Sequence, residues 1–237
     1  MGVGTEPLVS SASGKYECST AQSCLKRIAV SLSTESSAIV VVKARVLATE
    51  ASFHDCYTHA NAYQLSWAAA GGVFYLANAS LELHGSELVA NRAEALQRSQ
   101  NSFGAAIFAA VASASTVKLV ECLVRLNAAR VADDDWMHVD TEAAGGGIYV
   151  SSSFLALINC TIDKNSVWPI RGRGGAIFVK DSAPEDGGGL DVRGSRLLQN
   201  YARKGGALFV EASYFRIVET AFEDNVAWTR AVRSSPA

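Results

Sequence analysis

The stretch GGALFVEASYFRIVETAFEDNVA, residues 205–227, opens on paired glycines and closes on an asparagine two places before an alanine. Four earlier stretches open on paired small residues in the same way, with GGVFYL at Gly71, GAAIFA at Gly104, GGGIYV at Gly145 and GGAIFV at Gly174, and one of them has Val167 in place of the final alanine. Subtraction of successive first residue numbers gives spacings of 33, 41, 29 and 31 residues. Self-similarity at such periods is typical of repeat architectures, in which each unit stacks on its neighbours.

The closing asparagine is the most regular feature of the repeat. In every copy a small residue lies five places before it, and apolar residues lie three and eight places before it. A weaker copy at residues 38–58 has Phe53 in the apolar position and Cys56 in place of the asparagine, so the sequence predicts about six turns. The closing residues of the five clear copies are Asn91, Asn127, Asn165, Asn200 and Asn225.

The apolar residues of each unit fall in short runs with a period of two, which indicates strands rather than helices. One unit cannot bury its apolar face alone, whereas equivalent strands stacked about 4.8 Å apart form a continuous core. Parallel stacking with the general crossover rule predicts an all-β, right-handed parallel β-helix solenoid with external loops. We assign residues 37–237 to the β-helix and residues 1–36 to an N-terminal cap or irregular segment. Residues 92–100 are rich in helix formers and are a candidate for a short helical loop.

The recurring asparagine has a structural interpretation. Stacked asparagines at one corner can form an amide ladder, and asparagine tolerates the left-handed backbone of a tight corner. The paired glycines allow a sharp corner where a Cβ atom has no room, and the small residues would stack inside another narrow corner. The ladder is therefore predicted to hold the coil together rather than to bind a ligand.

The amino-acid composition and the net charge limit the classes of partner that the chain is expected to bind. The chain has 237 residues, of which 49% are hydrophobic, and 21 basic against 23 acidic residues give a formal charge of -2. This balance does not favour nucleic acid as a partner, because nucleic-acid-binding domains carry an excess of basic residues. No apolar stretch approaches the ~20 residues of a membrane-spanning helix, and the start shows no signal-peptide pattern.

The GGA[IL] openings and FxxN-like closings, clearest in GGALFV and FEDNVA, resemble the repeats of polymorphic outer membrane proteins and other adhesin-like β-helix proteins of the pectin-lyase-like class. The resemblance covers about residues 37–228. It implies a right-handed parallel β-helix and an extracellular or cell-surface location. It implies no catalytic residue, because such repeats serve as scaffold.

An aromatic residue follows the apolar position of each opening. Strict alternation points these residues outward as one stripe, which is either an exposed surface for protein or glycan or a stacked ladder covered by loops. Trp168 and Trp228, each three places after a closing asparagine, are predicted to pack against loops. The stripe consists of Tyr75, Phe108, Tyr149, Phe178 and Phe209.

One acidic cluster, Asp133, Asp134 and Asp135, stands in a long insertion. Enzymes of this fold class use outer-sheet carboxylates to bind Ca²⁺ or to protonate a glycosidic oxygen. The cluster is therefore either a solvated loop or a possible cation or glycan loop.

The five cysteines give no zinc-ligand spacing, and no histidine stands in a nucleophile motif, so we expect no metal, no cofactor and no catalytic residue. Cys122 and Cys160 share one position in consecutive turns and are predicted to be buried thiols, although that position is within disulfide range. Cys18 and Cys24 either close a small loop or remain reduced, depending on the compartment.

Two functions remain open at the level of sequence. The first is a non-catalytic β-helix scaffold, an adhesin-like or surface-display module that contacts protein or glycan. The alternative is a carbohydrate-active enzyme, a lyase or hydrolase, with its site near Asp133. A carboxylate cluster on one outer sheet would favour the enzyme, and outer strands without such a cluster would favour the scaffold.

Overall fold

The computed structural model describes residues 23–26, 29–30, 33–34, 39–60, 69–95, 102–109, 115–131, 142–168, 172–182 and 188–228. These residues form strands β1 to β30 and no helix. The strands pair in parallel and in register with strands of the neighbouring turns. The predicted fold class, an all-β parallel β-helix solenoid, is confirmed.

Four long sheets and one short sheet run along the coil. Sheet A contains β4 (Ile39–Val42), β9 (Phe74–Ala77), β14 (Ile107–Ala109), β19 (Ile148–Ser151), β23 (Ile177–Lys180) and β27 (Leu208–Glu211). Sheet B contains β1 (Ser23–Lys26), β5 (Arg45–Thr49), β10 (Ser80–His84), β15 (Thr116–Val120), β20 (Phe154–Ile158), β24 (Gly189–Arg193) and β28 (Phe215–Val218). Sheet C contains β2 (Ala29–Val30), β6 (Ser52–His54), β11 (Glu87–Val89), β16 (Leu123–Arg125), β21 (Thr161–Asp163), β25 (Arg196–Leu198) and β29 (Ala221–Glu223).

Sheet D contains β3 (Ser33–Thr34), β7 (Tyr57–Ala60), β12 (Arg92–Ala95), β17 (Ala128–Val131), β22 (Ser166–Trp168), β26 (Tyr201–Ala202) and β30 (Val226–Ala227). The short sheet E contains β8 (Ala69–Ala70), β13 (Ser102–Phe103) and β18 (Ala143–Ala144). A turn of the coil passes through sheets A, B, C and D in that order, and sheet E lies between sheet D and the next strand of sheet A.

Four turns, those that contain β9, β14, β19 and β23, have a neighbour on both sides in all four long sheets. The described residues thus form about four fully stacked turns, fewer than the about six turns that the sequence predicts. Among the described residues, strands β1 to β3 pair with the turn that follows them, while the proposed boundary at residue 37 stays a prediction. The prediction of a helical loop was wrong for Arg92–Ala95, which is strand β12 between β7 and β17.

The core lies inside the coil and consists of the apolar side chains at alternate positions of the strands. In β10, for example, Leu81 and Leu83 are fully buried, whereas the alternate residues face outward and are partly exposed. In register, Phe53, Leu88 and Val124 form a column that continues through the later turns. The period-two alternation of apolar residues in the sequence therefore produces a continuous apolar core along the coil.

Sharp corners separate the sheets, and the residue that turns each corner has a left-handed backbone. Before every closing asparagine it is the preceding residue that has a positive φ, for example 57° at Leu126 and 53° at Lys164. The prediction that the asparagine itself takes the left-handed conformation was therefore wrong. The asparagine instead directs its side chain inward, where it is shielded from water.

The asparagines form the predicted ladder. The Nδ2 atom of Asn127 donates to Oδ1 of Asn165 at 2.8 Å, and Nδ2 of Asn165 donates to Oδ1 of Asn200 at 3.0 Å. The same Oδ1 atoms accept the backbone N–H of the preceding asparagine, at 3.0 Å from Asn127 and 2.9 Å from Asn165. Asn91, Asn127, Asn165 and Asn200 are all fully buried, so these bonds satisfy polar groups that water does not reach.

A second ladder, of serines, lies at the corner between sheets A and B and was missed in the sequence. The backbone N–H of Ser115 donates to Oγ of Ser153 at 3.1 Å, and that of Ser153 donates to Oγ of Ser182 at 3.3 Å. The N–H of Ser182 donates in turn to Oγ of Ser213 at 3.0 Å. The N–H of Cys160 likewise donates to Oγ of Ser195 at 3.1 Å between sheets B and C, so side-chain oxygens accept backbone N–H groups across turns at three corners of the described coil.

The paired glycines have two separate roles. The first glycine of a pair has a positive φ, 63° at Gly174, which a residue with a Cβ rarely adopts. The second glycine lies against the neighbouring backbone, since a Cβ atom on Gly175 would stand 2.0 Å from the carbonyl oxygen of Gly206. Both observations agree with the predicted absence of room for a Cβ atom.

Candidate binding face on sheet D

The acidic cluster lies outside the described residues. Asp133, Asp134 and Asp135 fall in the interval between β17 and β18 that the structure does not describe. The two interpretations of the cluster, a solvated loop or a cation or glycan loop, therefore both remain predictions.

The residues of the aromatic stripe lie at the same register position on successive strands of sheet A, and the ring centroids of consecutive residues are 5.1–5.5 Å apart. Its central members, Phe108, Tyr149 and Phe178, are buried, and Tyr75 and Phe209 at the two ends are partly exposed. Phe103 of sheet E covers the stripe, with its ring 4.8 Å from that of Tyr149. Burial raises the pKa of Tyr149. Most of the stripe is thus internal packing between sheets A and E.

The cysteine side chains that the structure describes are buried. They are Cys56, Cys122 and Cys160, and of these Cys122 and Cys160 are free thiols. The thiol of Cys160 donates to the carbonyl oxygen of Leu119 at 3.3 Å. The pKa of Cys122 is raised by its contact with Cys160 and by burial. Cys122 and Cys160 occupy the predicted small-residue corner between sheets B and C, and Cys56 occupies the asparagine position between sheets C and D, whereas Cys18 lies outside the described residues.

Glu82 on the outer face of sheet B is surrounded by basic side chains. Oε1 of Glu82 accepts hydrogen bonds from Nζ of Lys118 at 2.8 Å and from Nε2 of His84 at 2.9 Å. Arg45 donates to Oε2 at 3.0 Å. Lys118, then His84 and Arg45, lower the pKa of Glu82 to about 2. This carboxylate is ionised at any ordinary pH and cannot serve as a general acid.

Other outer carboxylates are paired in the same way. Asp191 accepts a hydrogen bond from Nε of Arg193 at 2.9 Å, and this contact lowers the pKa of Asp191. Asp163 lies 3.1 Å from Nε of Arg125 on sheet C. Within the described residues no group of three His, Cys, Asp or Glu side chains could hold a metal ion. On the described outer faces these carboxylates are therefore paired with one or more basic side chains and do not form a cluster that could hold a metal ion.

An aromatic group stands exposed on the outer face of sheet D. In β22 Val167 points into the core, so its neighbour Trp168 points outward and is 43% exposed. The ring of Trp168 lies 5.3 Å from that of Tyr201 and 6.2 Å from that of Trp228, and the last two rings are 6.3 Å apart. We name Trp168, Tyr201 and Trp228 the aromatic platform. The two tryptophans pack on each other and on Tyr201, which the prediction of loop packing did not anticipate.

Next to the aromatic platform, arginine side chains lie on the outer face of the neighbouring strands of sheet D. Arg130 pairs in register with Trp168 on the neighbouring strand, and Glu94 lies in register beyond Arg130. Nε of Arg130 is 3.8 Å from Oε1 of Glu94, and a guanidinium nitrogen of Arg92 is 3.9 Å from Oε2. The hydroxyl of Tyr57 donates to Oε2 of Glu94 at 2.8 Å, and burial together with this bond raises the pKa of Tyr57 to about 12.

The signal for this face was present in the sequence. The third residue after each closing asparagine is outward on sheet D or follows its strand, and the five residues form one series. The sequence reasoning used only the two tryptophans of the series and not the basic residues between them. The series is Glu94, Arg130, Trp168, Arg203 and Trp228.

No protein-family model matches the chain, and no curated protein or solved structure matches it either. The structure shows the fold class, and these comparisons identify no family. The resemblance to polymorphic outer membrane proteins thus stays a prediction from the repeat. The described part of the chain also contains no helix with the length and hydropathy that a membrane crossing requires.

Proposed function

We propose that this chain is a non-catalytic β-helix scaffold whose outer surface contacts a protein or a glycan. The observation that carries the proposal is the exposed aromatic platform on the stacked strands of sheet D. Tryptophan and tyrosine present a large apolar area together with a polar tip, and they lose little side-chain entropy on binding. Trp, Tyr and Arg are also the residues that dominate binding energies at interfaces.

The scaffold suits such a role because the platform residues have little freedom to move apart. The backbones of Trp168 and Tyr201 belong to strands whose inward-facing residues, Val167 and Ala202, are buried, and Trp228 directly follows strand β30. The corner before each of these strands is closed by the buried asparagine ladder. A binding face on rigid strands holds its geometry better than one on loops.

The electrostatics of the described outer faces support a non-catalytic role. Glycoside hydrolysis needs one carboxylic acid that can donate a proton and a second carboxylate at a set distance. Glu82, Asp163 and Asp191 are each held by a basic side chain instead. Surface display, in turn, depends on the resemblance of the repeats to adhesin-like proteins.

The alternative function is a carbohydrate-active enzyme with its site near Asp133. The test measures cleavage of a panel of acidic and neutral polysaccharides, with and without Ca²⁺, by the intact chain and by a variant with Asp133→Ala, Asp134→Ala and Asp135→Ala. We expect no cleavage by either protein. Calcium-dependent cleavage that is lost in the variant would overturn the scaffold proposal in favour of the enzyme.

A further inference from the structure

We propose that the outer face of sheet D binds an anionic sugar chain laid along the coil axis, with sugar rings on the aromatic platform and acidic groups on Arg92 and Arg130. This inference rests on the proposed scaffold function and names the class of ligand for one of its faces. Three features of the face support it: the exposed rings, the spacing of the strands and the unused donors of the two arginines.

The platform suits the apolar face of a sugar ring. A pyranose presents C–H groups on its faces and hydroxyls around its edge, so a flat aromatic surface can cover the faces while the edge stays in water. Trp168 is 43% exposed and is flanked by Tyr201 and Trp228 at centroid distances of 5.3 and 6.2 Å.

The arginines give the face its preference for negative charge. The distances of 3.8 and 3.9 Å from Glu94 are too long for hydrogen bonds, and about half of each side chain is exposed (48% for Arg130, 50% for Arg92). Both guanidinium groups therefore keep N–H donors for an external anion. Carboxylate and sulfate groups accept two such donors from one arginine.

The charges around the platform agree with this preference. On the part of this face that carries the proposed charge contacts, two residues are arginines, Arg92 and Arg130, and one is acidic, Glu94. The only carboxylate of this set is already shared by Arg92, Arg130 and the Tyr57 hydroxyl. An excess of positive charge remains, which complements an acidic ligand.

The direction of the ligand follows from the stacking of the strands. Arg92, Arg130 and the position of Trp168 lie on three consecutive strands of sheet D, each about 4.8 Å from the next. A ligand that uses both charged groups and rings must therefore extend along the coil axis across several turns. A sugar chain with a ring and an acidic group in every repeat provides such contacts, and an acidic peptide is the competing class.

The experiment titrates the intact chain with four probes and follows tryptophan fluorescence at low and at high salt. The probes are a sulfated heparin-derived oligosaccharide, a carboxylated oligo-uronide, a neutral gluco-oligosaccharide of similar length and poly-L-glutamate. We expect the two anionic sugars to bind and the neutral sugar to bind at least about tenfold more weakly. Their binding should weaken as salt rises, because salt screens charges on an exposed face. The two anionic probes distinguish a sulfate-preferring face from a carboxylate-preferring one.

Variants locate the site. Trp168→Ala and Arg130→Ala should each weaken binding about tenfold, and Trp168→Phe should keep most of the affinity because it retains a ring. Tyr214→Ala is the matched control, because Tyr214 is an aromatic residue 53% exposed at a distance from sheet D, and it should bind like the intact chain. All these side chains are exposed, so far-UV circular dichroism should show an unchanged fold.

Several outcomes would overturn the inference. Equal binding of the neutral sugar would remove the role of charge, and loss of binding in Tyr214→Ala would place the site elsewhere. Binding of poly-L-glutamate alone, with loss in Trp168→Ala, would reassign the face to acidic peptides and leave the scaffold function standing. Binding of no probe would also overturn the sugar assignment, whereas cleavage of a sugar probe would overturn the scaffold function itself.

Discussion

Replacement of Asn165 by alanine tests whether the asparagine ladder stabilises the coil. The side chain of Asn165 takes part in four hydrogen bonds and is fully buried. Oδ1 accepts from N and Nδ2 of Asn127, at 3.0 and 2.8 Å, and Nδ2 donates to the carbonyl oxygen of Val124 at 2.9 Å and to Oδ1 of Asn200 at 3.0 Å. Alanine removes all four bonds at once.

The expected loss of stability follows from the partners that remain. Nδ2 of Asn127 keeps its bond to Leu88, and Oδ1 of Asn200 keeps the backbone N–H of residue 165. The backbone N–H of Asn127 loses its partner in a buried place, at a cost of about 1–3 kcal/mol, and the three other bonds are worth about 0.5–1.5 kcal/mol each. Since such terms are not additive, we expect the free energy of unfolding to fall by about 4 kcal/mol.

Asn225 offers a matched control in the same position of the last described turn. It is only partly buried, so water can replace the bonds that its side chain makes to Asn200 and Leu197. Asn225→Ala should therefore cost only about 1 kcal/mol. Asn165→Asp retains the shape and the acceptor but loses both donors, and it should destabilise more above the carboxyl pKa than below it.

The assay is urea unfolding followed by both far-UV circular dichroism and tryptophan fluorescence. Coincidence of the two transitions is needed before the midpoint and slope are converted into a free energy. If Asn165→Ala lost less than about 1 kcal/mol, or no more than Asn225→Ala, the ladder would not have the stabilising role derived from its geometry.

Three further predictions concern a corner, an ion-pair group and a buried thiol. Gly175→Ala should lower the free energy of unfolding by more than about 2 kcal/mol, because the new Cβ meets a backbone atom at 2.0 Å. Gly85→Ala has open space around its Cβ and should cost about 1 kcal/mol for its left-handed backbone alone. Equal costs of the two variants in urea unfolding would contradict the close approach at Gly175. The pKa of Glu82 is lowered from 4.5 to about 2, so the stability that its ion pairs contribute is complete above pH 4.5 and is lost as the pH falls towards 2. Glu82→Gln should remove this part of the acid dependence of stability and cost about 1 kcal/mol at neutral pH. An unchanged dependence of unfolding on acid pH would argue against the ion pairs. Cys122, buried and with a raised pKa, should be alkylated in the folded chain about a hundredfold more slowly than in urea, as measured by peptide mass spectrometry, and equal rates would contradict its burial.

The sequence predicts the fold class and the asparagine ladder because both depend on one repeated position. An asparagine that recurs in every turn must stack on itself once the strands pair in register, and the column from Asn91 to Asn225 does so. The serine ladder was harder to find. Ser153, Ser182 and Ser213 each stand eight places after the first glycine of their turn, but an insertion shifts Ser115 and alanine occupies the position in earlier turns.

Exposure of the aromatic residues could not be predicted in the same way. Alternation places Tyr149 and Trp168 on outer faces alike, yet Tyr149 is 6% exposed and Trp168 is 43% exposed. The difference arises from sheet E, whose two-residue strands carry Phe103 over the stripe on sheet A. Strands this short, set between variable insertions, leave no periodic signal in the sequence.

Amide hydrogen exchange on the intact chain tests most directly the central claim, that buried ladders hold a parallel stack of turns and so keep its outer faces fixed. The backbone N–H groups of Asn91, Asn127 and Asn165 each donate to the next asparagine of the ladder within the core. We predict that these corner amides exchange among the slowest in the protein and more slowly than the amides of β27 to β30 at the end of the stack. Corner amides that exchange as fast as those of the last turn would contradict the ladder and, with it, the rigid face on which the proposed binding depends.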